Sequence, residues 1–469
     1  MNSIEIKIAY IGGGSRYWAR DLLSELAQSP RLSGRVDLYD IDRAAAEKNV
    51  AVAAAIFNRP EARTRFAVRA VARLEEALRG ADFVILSIEP GPTKMRFADL
   101  IIPTLHRVVQ PVGDTTGPGG IVRALRAVPL YADFARQIAE HCPNAWVINY
   151  TNPMTLCTAT LYAVTPSIKA FGCCHEVFHT QHRLADYVAS WHHVPRPRRQ
   201  EIKVDLNGIN HFTWVTSATW RGRELLPELR ERVAQSGFFR SRAAIARAQK
   251  NRERWFDSGG LVACDLFRRF HALGAAGDRH LAEFVPWYAT SEEALHRWGV
   301  VLTPYEWRLR RANLRDNDVE FYARRQLKPS DEEGVRQIEA LVGLASIDTN
   351  VNLPNTGQAP GLPEGHIVET NAQFRRDRVT PVPARPLPPG ALALVRRVTE
   401  VQQLTLRAAL EGDADLALQA VLADPLVRMS TDEAWTMLRS MLDRVKPALP
   451  WWQSARKRTS RPVAASAAR

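Results

Sequence analysis

The sequence predicts an α/β fold in which a doubly wound parallel sheet over residues 1–200 is followed by a second, α+β domain over residues 201–450. Three observations predict it. Short apolar strands alternate with helices from residue 4 to about 200, a glycine turn closes the first strand, and after 200 the texture shifts to longer helices with fewer apolar runs. A chain of 469 residues, 46% of them hydrophobic, buries a sizeable core, and at roughly 150 residues per domain it holds two or three domains.

The elements follow in order. Residues 4–11, Ile-Glu-Ile-Lys-Ile-Ala-Tyr-Ile, form an alternating, β-branched strand that runs into Gly12-Gly13-Gly14-Ser15 and then a helix to about Ala27. A second strand at 35–39 ends at Asp40-Ile41-Asp42, and a helix covers roughly 43–58. Next come a strand near 65–71, a short helix near 74–79 and a buried strand at 82–88. The alternation continues with a helix at about 123–141, an apolar strand at 145–149, a helix after Asn152-Pro153 and a strand at 168–172. Parallel strands need crossover helices, so this order places helices on both faces of one sheet. Together with the glycine turn it makes residues 1–200 Rossmann-like.

Beyond residue 200, a strand-like run at 202–206 leads into the second domain. Residues 350–390 are rich in Pro and Gly and read as an extended strand-and-loop excursion, followed by helices at about 390–411, 413–423 and 430–446. Residues 451–469 hold five basic and no acidic side chains with Ala and Ser, the composition of a disordered basic tail.

Charge narrows the function classes. The balance of 63 Lys+Arg against 50 Asp+Glu gives +13, but only nine of the basic residues are Lys, and the Arg are interspersed with acids rather than gathered in a stripe. The densest basic run, Arg240 to Arg254, reads as a helix with a solvated face, or as one that meets an acidic ligand group or another subunit. No nucleic-acid partner is expected. No stretch reaches the ~18 apolar residues of a membrane span, and Met1 to Lys7 lead into a strand instead of a signal peptide, so no membrane partner and a cytoplasmic location are expected. Five cysteines (Cys142, Cys157, Cys173, Cys174, Cys264) show no framework spacing and read as reduced thiols.

Four motifs point to chemistry. Gly12, Gly13, Gly14 and Ser15 sit where backbone N–H groups and a helix dipole can hold a pyrophosphate, and Asp40, just past the second strand, is placed to accept the ribose hydroxyls of NAD and repel an NADP phosphate. A plain tight turn and an N-cap are the alternatives. Gly113-Asp-Thr-Thr-Gly-Pro-Gly-Gly120 is too glycine-rich for a packed element and reads as a loop bringing backbone close to a ligand. Asn149-Tyr-Thr-Asn-Pro-Met154 follows a buried strand at the ligand-binding edge of the sheet, where its polar groups can bond a hydroxylated substrate. Cys173-Cys174-His175-Glu176 also follows a strand, and a Cys174 thiolate meeting the His211 imidazole of Asn210-His211 can hold a divalent metal. A buried cysteine and a structural histidine are the plainer alternative.

Taken together these motifs resemble glycoside hydrolase family 4, the NAD- and manganese-dependent glycosidases. The likeness spans nearly the whole chain. Its anchors are Tyr10-Ile-Gly-Gly-Gly-Ser15, Leu38-Tyr-Asp-Ile-Asp42, Arg96-Phe-Ala-Asp99, Asp114 to Ile121, Tyr150 to Met154, Cys174-His175, Gly208 to Phe212, Asn352-Leu-Pro, Pro363-Glu-Gly and Val368-Glu369. What the resemblance implies is a small-molecule glycoside substrate, NAD with Mn2+ or another divalent transition metal as cofactors, and a homodimer or homotetramer. The implied reaction oxidises the sugar at C3, removes the C2 proton, eliminates the aglycone from C1, adds water and returns the hydride. Cys174 and His211 match the metal ligands, and Arg96, Asp114 and Asn152 are the implied substrate contacts.

Two positions depart from the phosphoglycoside members. Where those place a Tyr base, this sequence has Gly277-Asp278-Arg279-His280-Leu-Ala-Glu283 and no Tyr until Tyr288, so Asp278 is read as the base, with His280 second and a salt bridge within Asp-Arg-His as the structural alternative. His175 stands where some members carry an Asp thought to protonate the leaving group; it is read as that acid, or as a residue that orients the thiolate. The Cys-His-Glu-Val run looks like the branch acting on unphosphorylated α-glycosides: glucosides, galactosides or uronides. The competing class is an NAD-dependent 2-hydroxyacid dehydrogenase, which needs no Cys174 and His211 pair and releases net NADH.

Overall fold

The computed structural model describes residues 3–235, 256, 258–314, 319–324, 327 and 333–452. The basic run at 240–254, and the 451–469 tail after its first two residues, lie outside the described residues.

Six strands, β1 (Ile4–Ile11), β2 (Leu32–Tyr39), β3 (Phe66–Val71), β4 (Phe83–Leu86), β5 (Trp146–Asn149) and β6 (Lys169–Gly172), pair in parallel in the order β3-β2-β1-β4-β5-β6. The winding reverses between β1 and β4, and that switch point is where open α/β sheets bind ligands. Strand β1 shows why both faces are covered. Ile6, Ile8 and Tyr10 pack with the helices Trp18–Leu26 and Arg43–Phe57, while Ala9 and Ile11 pack on the opposite face with the helices Gly117–His141 and Met154–Val164. Alternate residues point to opposite faces, so a strand apolar at both sets must be sandwiched.

A second, antiparallel sheet contains β7 (Ile202–Ile209), β8 (Phe212–Trp220), β9 (Arg223–Glu224) and β10 (Leu273–Gly274), ordered β10-β8-β7 with β9 on β8. Phe212 and Trp214 anchor its core against the helices Leu261–Phe270 and Asp278–Phe284, and the same core continues into Pro389–Glu411, Ala414–Ala423 and Thr431–Val445. The β7–β8 hairpin turns at Asn210-His211, with His211 at φ +65°. Such backbone is uncommon outside glycine and gathers at functional sites.

One expectation gains a place in the fold and another is corrected. The 350–390 segment is strand and loop, as read, and its strands β11 (Ile347–Pro354), β12 (Ile367–Arg375) and β13 (Arg378–Pro381) extend the large sheet antiparallel from the outer edge of β6, joined where Asn352 faces Gly172. They cover a strand edge that would otherwise offer unpaired backbone groups. Residues on both sides of position 200 therefore build that sheet. Asn371 of β12 also donates to the Val204 carbonyl of β7 at 2.6 Å, tying the two sheets together.

The correction concerns the glycine-rich segment, which is a loop only as far as Thr116. From Gly117 it is the first turn of a 25-residue helix. Its glycines serve packing: a Cβ on Gly119 would lie 2.4 Å from the Asp99 carbonyl oxygen, and one on Gly120 would lie 2.5 Å from the Thr115 carbonyl carbon. Helix and loop can nest this closely only because both positions lack a side chain. Among the described residues no helix is long and apolar enough to cross a membrane.

Candidate active site

At the switch point, Gly12 and Gly13 both donate backbone N–H to the Tyr39 carbonyl, at 2.9 and 2.8 Å, folding the turn against the end of β2. A Cβ on Gly12 would lie 2.0 Å from the Ser87 carbonyl oxygen, and one on Gly13 would lie 2.6 Å from Leu38 Cβ. Gly14 donates to Asp40 Oδ2 at 2.8 Å, and Asp42 N–H donates to Asp40 Oδ1 at 2.9 Å. The acid and the turn thus form one unit, and each carboxylate oxygen keeps a second lone pair for a ligand. The helix that follows begins at Trp18, beyond Ser15, Arg16 and Tyr17.

The loop that leads to Asp114, after the short helix Ile102–Leu105, is braced by charge. Arg96 is buried, and its guanidinium donates to Asp99 Oδ2 at 3.1 Å, to the Val112 carbonyl at 3.2 Å and to the Gly113 carbonyl at 3.4 Å. Arg126 clamps both oxygens of the same Asp99, at 3.0 and 2.8 Å. Two buried guanidiniums share one carboxylate, an arrangement whose disruption costs about 3–5 kcal/mol. Glu283 Oε1 accepts the N–H groups of Val112 and Gly113, and burial pushes this carboxyl up to about 8 against the pull of those donors. Arg96, expected to touch substrate, is thus engaged in shaping the loop that presents Asp114.

Asp114 heads a group of metal-ligand type. Donor atoms of Asp114, His211 and His280 all lie within 4.8 Å of one another, and the rings of His211 and His280 lie with centroids 3.9 Å apart, tilted by 32°. Burial would raise the Asp114 carboxyl, but His280, Arg96 and His211 outweigh it and hold the group well below the usual carboxylate range. The tautomer of His211 follows from its neighbours. Thr115 Oγ1 donates to Asp114 Oδ1 at 2.8 Å and so has only lone pairs left for His211 Nδ1, also at 2.8 Å. His211 Nδ1 must therefore carry the proton, which leaves the Nε2 lone pair for a ligand. Burial, reinforced by His280, pushes His211 down to about 3, so the ring is neutral, as ligation requires.

A second group adjoins the first. Glu176 opens the helix Glu176–His192, where a carboxylate is favoured by the helix dipole. Its Oε2 accepts Gly277 N–H at 2.7 Å, and its Oε1 lies 3.8 Å from His179 Nδ1 and 4.0 Å from both His175 Nε2 and His280 Nε2. Burial would raise this acid, but His280, His179 and His175 hold it strongly down. His280 thus links both groups, and its buried Nδ1 has no hydrogen-bond partner.

Not every expected residue joins them. The Cys174 thiol is buried and lies outside both groups; burial first, then Glu369 and Glu176, push it well above its ordinary value. Behind it Asn350 donates to the Cys174 carbonyl at 3.1 Å and to Glu369 Oε1 at 2.9 Å. Asp278 is 1% exposed and turns to the helix Leu261–Phe270, accepting from Ser258 Oγ at 2.7 Å and Ala263 N–H at 2.9 Å. The Asp-Arg-His salt bridge does not form either: Arg279 donates to the Pro111 carbonyl at 2.7 Å. Asn152 keeps a buried Oδ1 without a hydrogen-bond partner, while its carbonyl accepts from Arg123 Nε at 2.9 Å. His175 stays partly exposed, 5.6 Å from the Trp18 ring, which stacks on Tyr150 at the same separation.

A model of the family 4 glycosyl hydrolases matches residues 7–190, and a model of that family's C-terminal domain matches residues 206–427. The chain belongs to glycosyl hydrolase family 4. Among family 4 relatives, the alpha-galacturonidase of Thermoanaerobacterium saccharolyticum is 45% identical over 466 residues, covering 96% of this chain and 97% of the relative. A solved Bacillus subtilis protein, described as a glucosidase, shares 43% identity with a TM-score of 0.85 over 94% of this chain and 100% of that one. The fold is shared as well with a 6-phospho-alpha-glucosidase from gut microorganisms solved with NAD and Mn2+, with a TM-score of 0.77 at 20% identity over 95% of this chain and 99% of that one. As a family 4 member the chain is a glycosyl hydrolase, and the dehydrogenase alternative is set aside.

Sequence reasoning passed over Glu176 and Glu283 as site residues. For Glu176 a signal existed: His175-Glu-Val-Phe-His179 has the spacing that puts two imidazoles and a carboxylate on neighbouring turns of a helix. For Glu283 none existed, because its partners Val112 and Gly113 are about 170 residues away in the chain.

Proposed function

We propose that this family 4 glycosidase hydrolyses unphosphorylated α-galacturonides, with NAD and a divalent metal such as Mn2+ as resident cofactors. The observation that supports the metal reading most directly is the His211 side chain, neutral, with Nδ1 engaged and Nε2 available, inside a group that includes Asp114 and His280. The residues fit both cofactors. The Gly12-Gly13-Gly14 turn packs so closely on Ser87, Leu38 and Asp40 that no Cβ fits, so bare backbone is what it would offer a pyrophosphate, and the carboxylate and imidazole donors of Asp114, His211 and His280 suit a divalent transition metal. When bound, these groups supply a hydride acceptor and donor for sugar C3 and a Lewis acid for its oxygen.

The chain's own residues then have distinct work. Asp114 and His211 would hold the cation, with Cys174 as a third ligand whose thiol is deprotonated on binding metal. We assign the C2 proton to His280 rather than Asp278. Its Nε2 faces the Glu176 carboxylate at 4.0 Å, a neighbour that stabilises the imidazolium, and its Nδ1 lacks a partner, whereas both Asp278 oxygens already accept hydrogen bonds. His175, beside the Trp18 ring, is placed to protonate the departing oxygen. Asn152 Oδ1 is a free acceptor for a sugar hydroxyl. Asp40 favours NAD over NADP through like-charge repulsion of the 2′-phosphate.

The test is a panel of nitrophenyl α-galacturonide, α-galactoside and α-glucoside, each with and without 6-phosphate where chemistry allows, assayed with NAD, Mn2+ and reductant. The galacturonide is expected to react fastest without net NADH release. A strict requirement for 6-phosphate contradicts the proposal.

A further inference from the structure

We infer that Arg308 is the specificity residue for the substrate's carboxylate, its guanidinium forming a charge-assisted fork with the C6 carboxylate of a uronide. This rests on the galacturonide reading above and goes beyond it by naming the group that tells a uronide from a neutral sugar.

Arg308 lies on the helix Tyr305–Leu314, which is fastened at two points, to the segment that carries Arg96 and to Phe256. Tyr305 donates its hydroxyl to the Lys94 carbonyl at 3.3 Å and meets the Phe97 ring edge-on at 5.4 Å. Trp307 meets Phe256 edge-on at 5.1 Å, and Phe256 in turn lies under the Arg279 guanidinium at 3.9 Å. These contacts set Arg308 on a fixed element beside the segment that supplies His280.

Arg308 itself is unsatisfied. Among the described residues its side chain forms no ion pair, its buried Nε has no hydrogen-bond partner, and its one ring contact is with Trp307 at 5.6 Å. The charges acting on it are Asp114 and Glu89 of opposite sign and Arg96 and Arg123 of like sign. Most of the opposite charge is committed elsewhere: Glu89 pairs with Arg123, and Asp99 with Arg96 and Arg126. Arg279 and Arg308 also repel each other, and burial pushes both down to about 10. A stem held on a helix, a partly buried fork without an anion and surplus positive charge next to Asp114 together form a site for a ligand carboxylate, which guanidinium matches in a planar, bidentate fashion. A neutral galactoside gains nothing there.

The experiment compares Arg308→Gln and Arg308→Lys with the wild type on nitrophenyl α-galacturonide and nitrophenyl α-galactoside. Calorimetry measures free galacturonate and galactose binding, and NAD affinity and bound metal report on folding. Arg308→Gln is expected to lower kcat/KM for the galacturonide about 10- to 100-fold, the range for losing a hydrogen bond to a charged group, while changing the galactoside less than about threefold. Arg308→Lys, which keeps charge but loses the fork, should fall between, and it carries the test if the Gln variant does not fold. An unchanged ratio between the two substrates, or an equal fall on both, overturns the role of Arg308. A wild type that neither cleaves galacturonide nor binds galacturonate overturns the galacturonide reading itself and the carboxylate role with it.

Discussion

Replacing His211 with asparagine abolishes measurable turnover, a fall on the order of 10³-fold or more, while NAD affinity stays within about twofold. Asparagine is the instructive substitution because His211 sits at φ +65°, where alanine would add backbone strain and asparagine is tolerated. The expected loss follows from the tautomer: Thr115 leaves His211 with one usable lone pair, on Nε2, and an asparagine is too short to carry a donor atom to the same point. NAD binding is spared because the glycine turn and Asp40 are held by backbone of β1 and β2, through bonds that do not involve His211. Metal content by elemental analysis should fall together with activity. Retained metal with lost turnover would move His211 from ligand to substrate contact.

The second large effect is at His280. His280→Asn should lower kcat by ~10²–10⁴-fold, the usual contribution of a positioned base, with bound metal near the wild-type level. Glu176→Gln should cost less, since it acts on the imidazole rather than on substrate. If His280→Asn loses its metal, the residue completes the coordination of Asp114 and His211 instead of taking the proton. Asp278→Asn supplies the contrast: it disturbs the bonds from Ser258 and Ala263, so its effect should register as lowered stability more than as altered pH dependence.

Much of this was legible from the chain. The parallel strands were readable because each is a short apolar-rich run set between helices, apolar at both residue parities in central strands such as β4, and because the glycine turn and Asp40 sit at fixed places relative to β1 and β2. Local pattern failed where long-range packing decides. Glycines at 117–120 look like loop until Asp99 and Thr115 are seen pressed against them. Strands β11–β13 join β6 through the single pairing of Asn352 with Gly172, which no periodicity reveals. Helix phase settles which member of the 278–280 segment faces the Asp114 group, because residues two apart on a helix point about 200° apart, so Asp278 and His280 cannot share a face. Arg308 attracts notice only once its neighbours Asp114 and Arg96, some two hundred residues earlier, are placed around it.

The central claim is that the glycosidic bond breaks by elimination after removal of the C2 proton, not through an oxocarbenium ion. The direct measurement is turnover of an α-galacturonide in heavy water, with the released sugar read by NMR. The account predicts deuterium at C2, introduced when the exchanged base returns its proton, whereas a two-carboxylate hydrolysis never touches that bond. Product carrying only protium at C2, from an enzyme whose His280 exchanges freely with solvent, would contradict it.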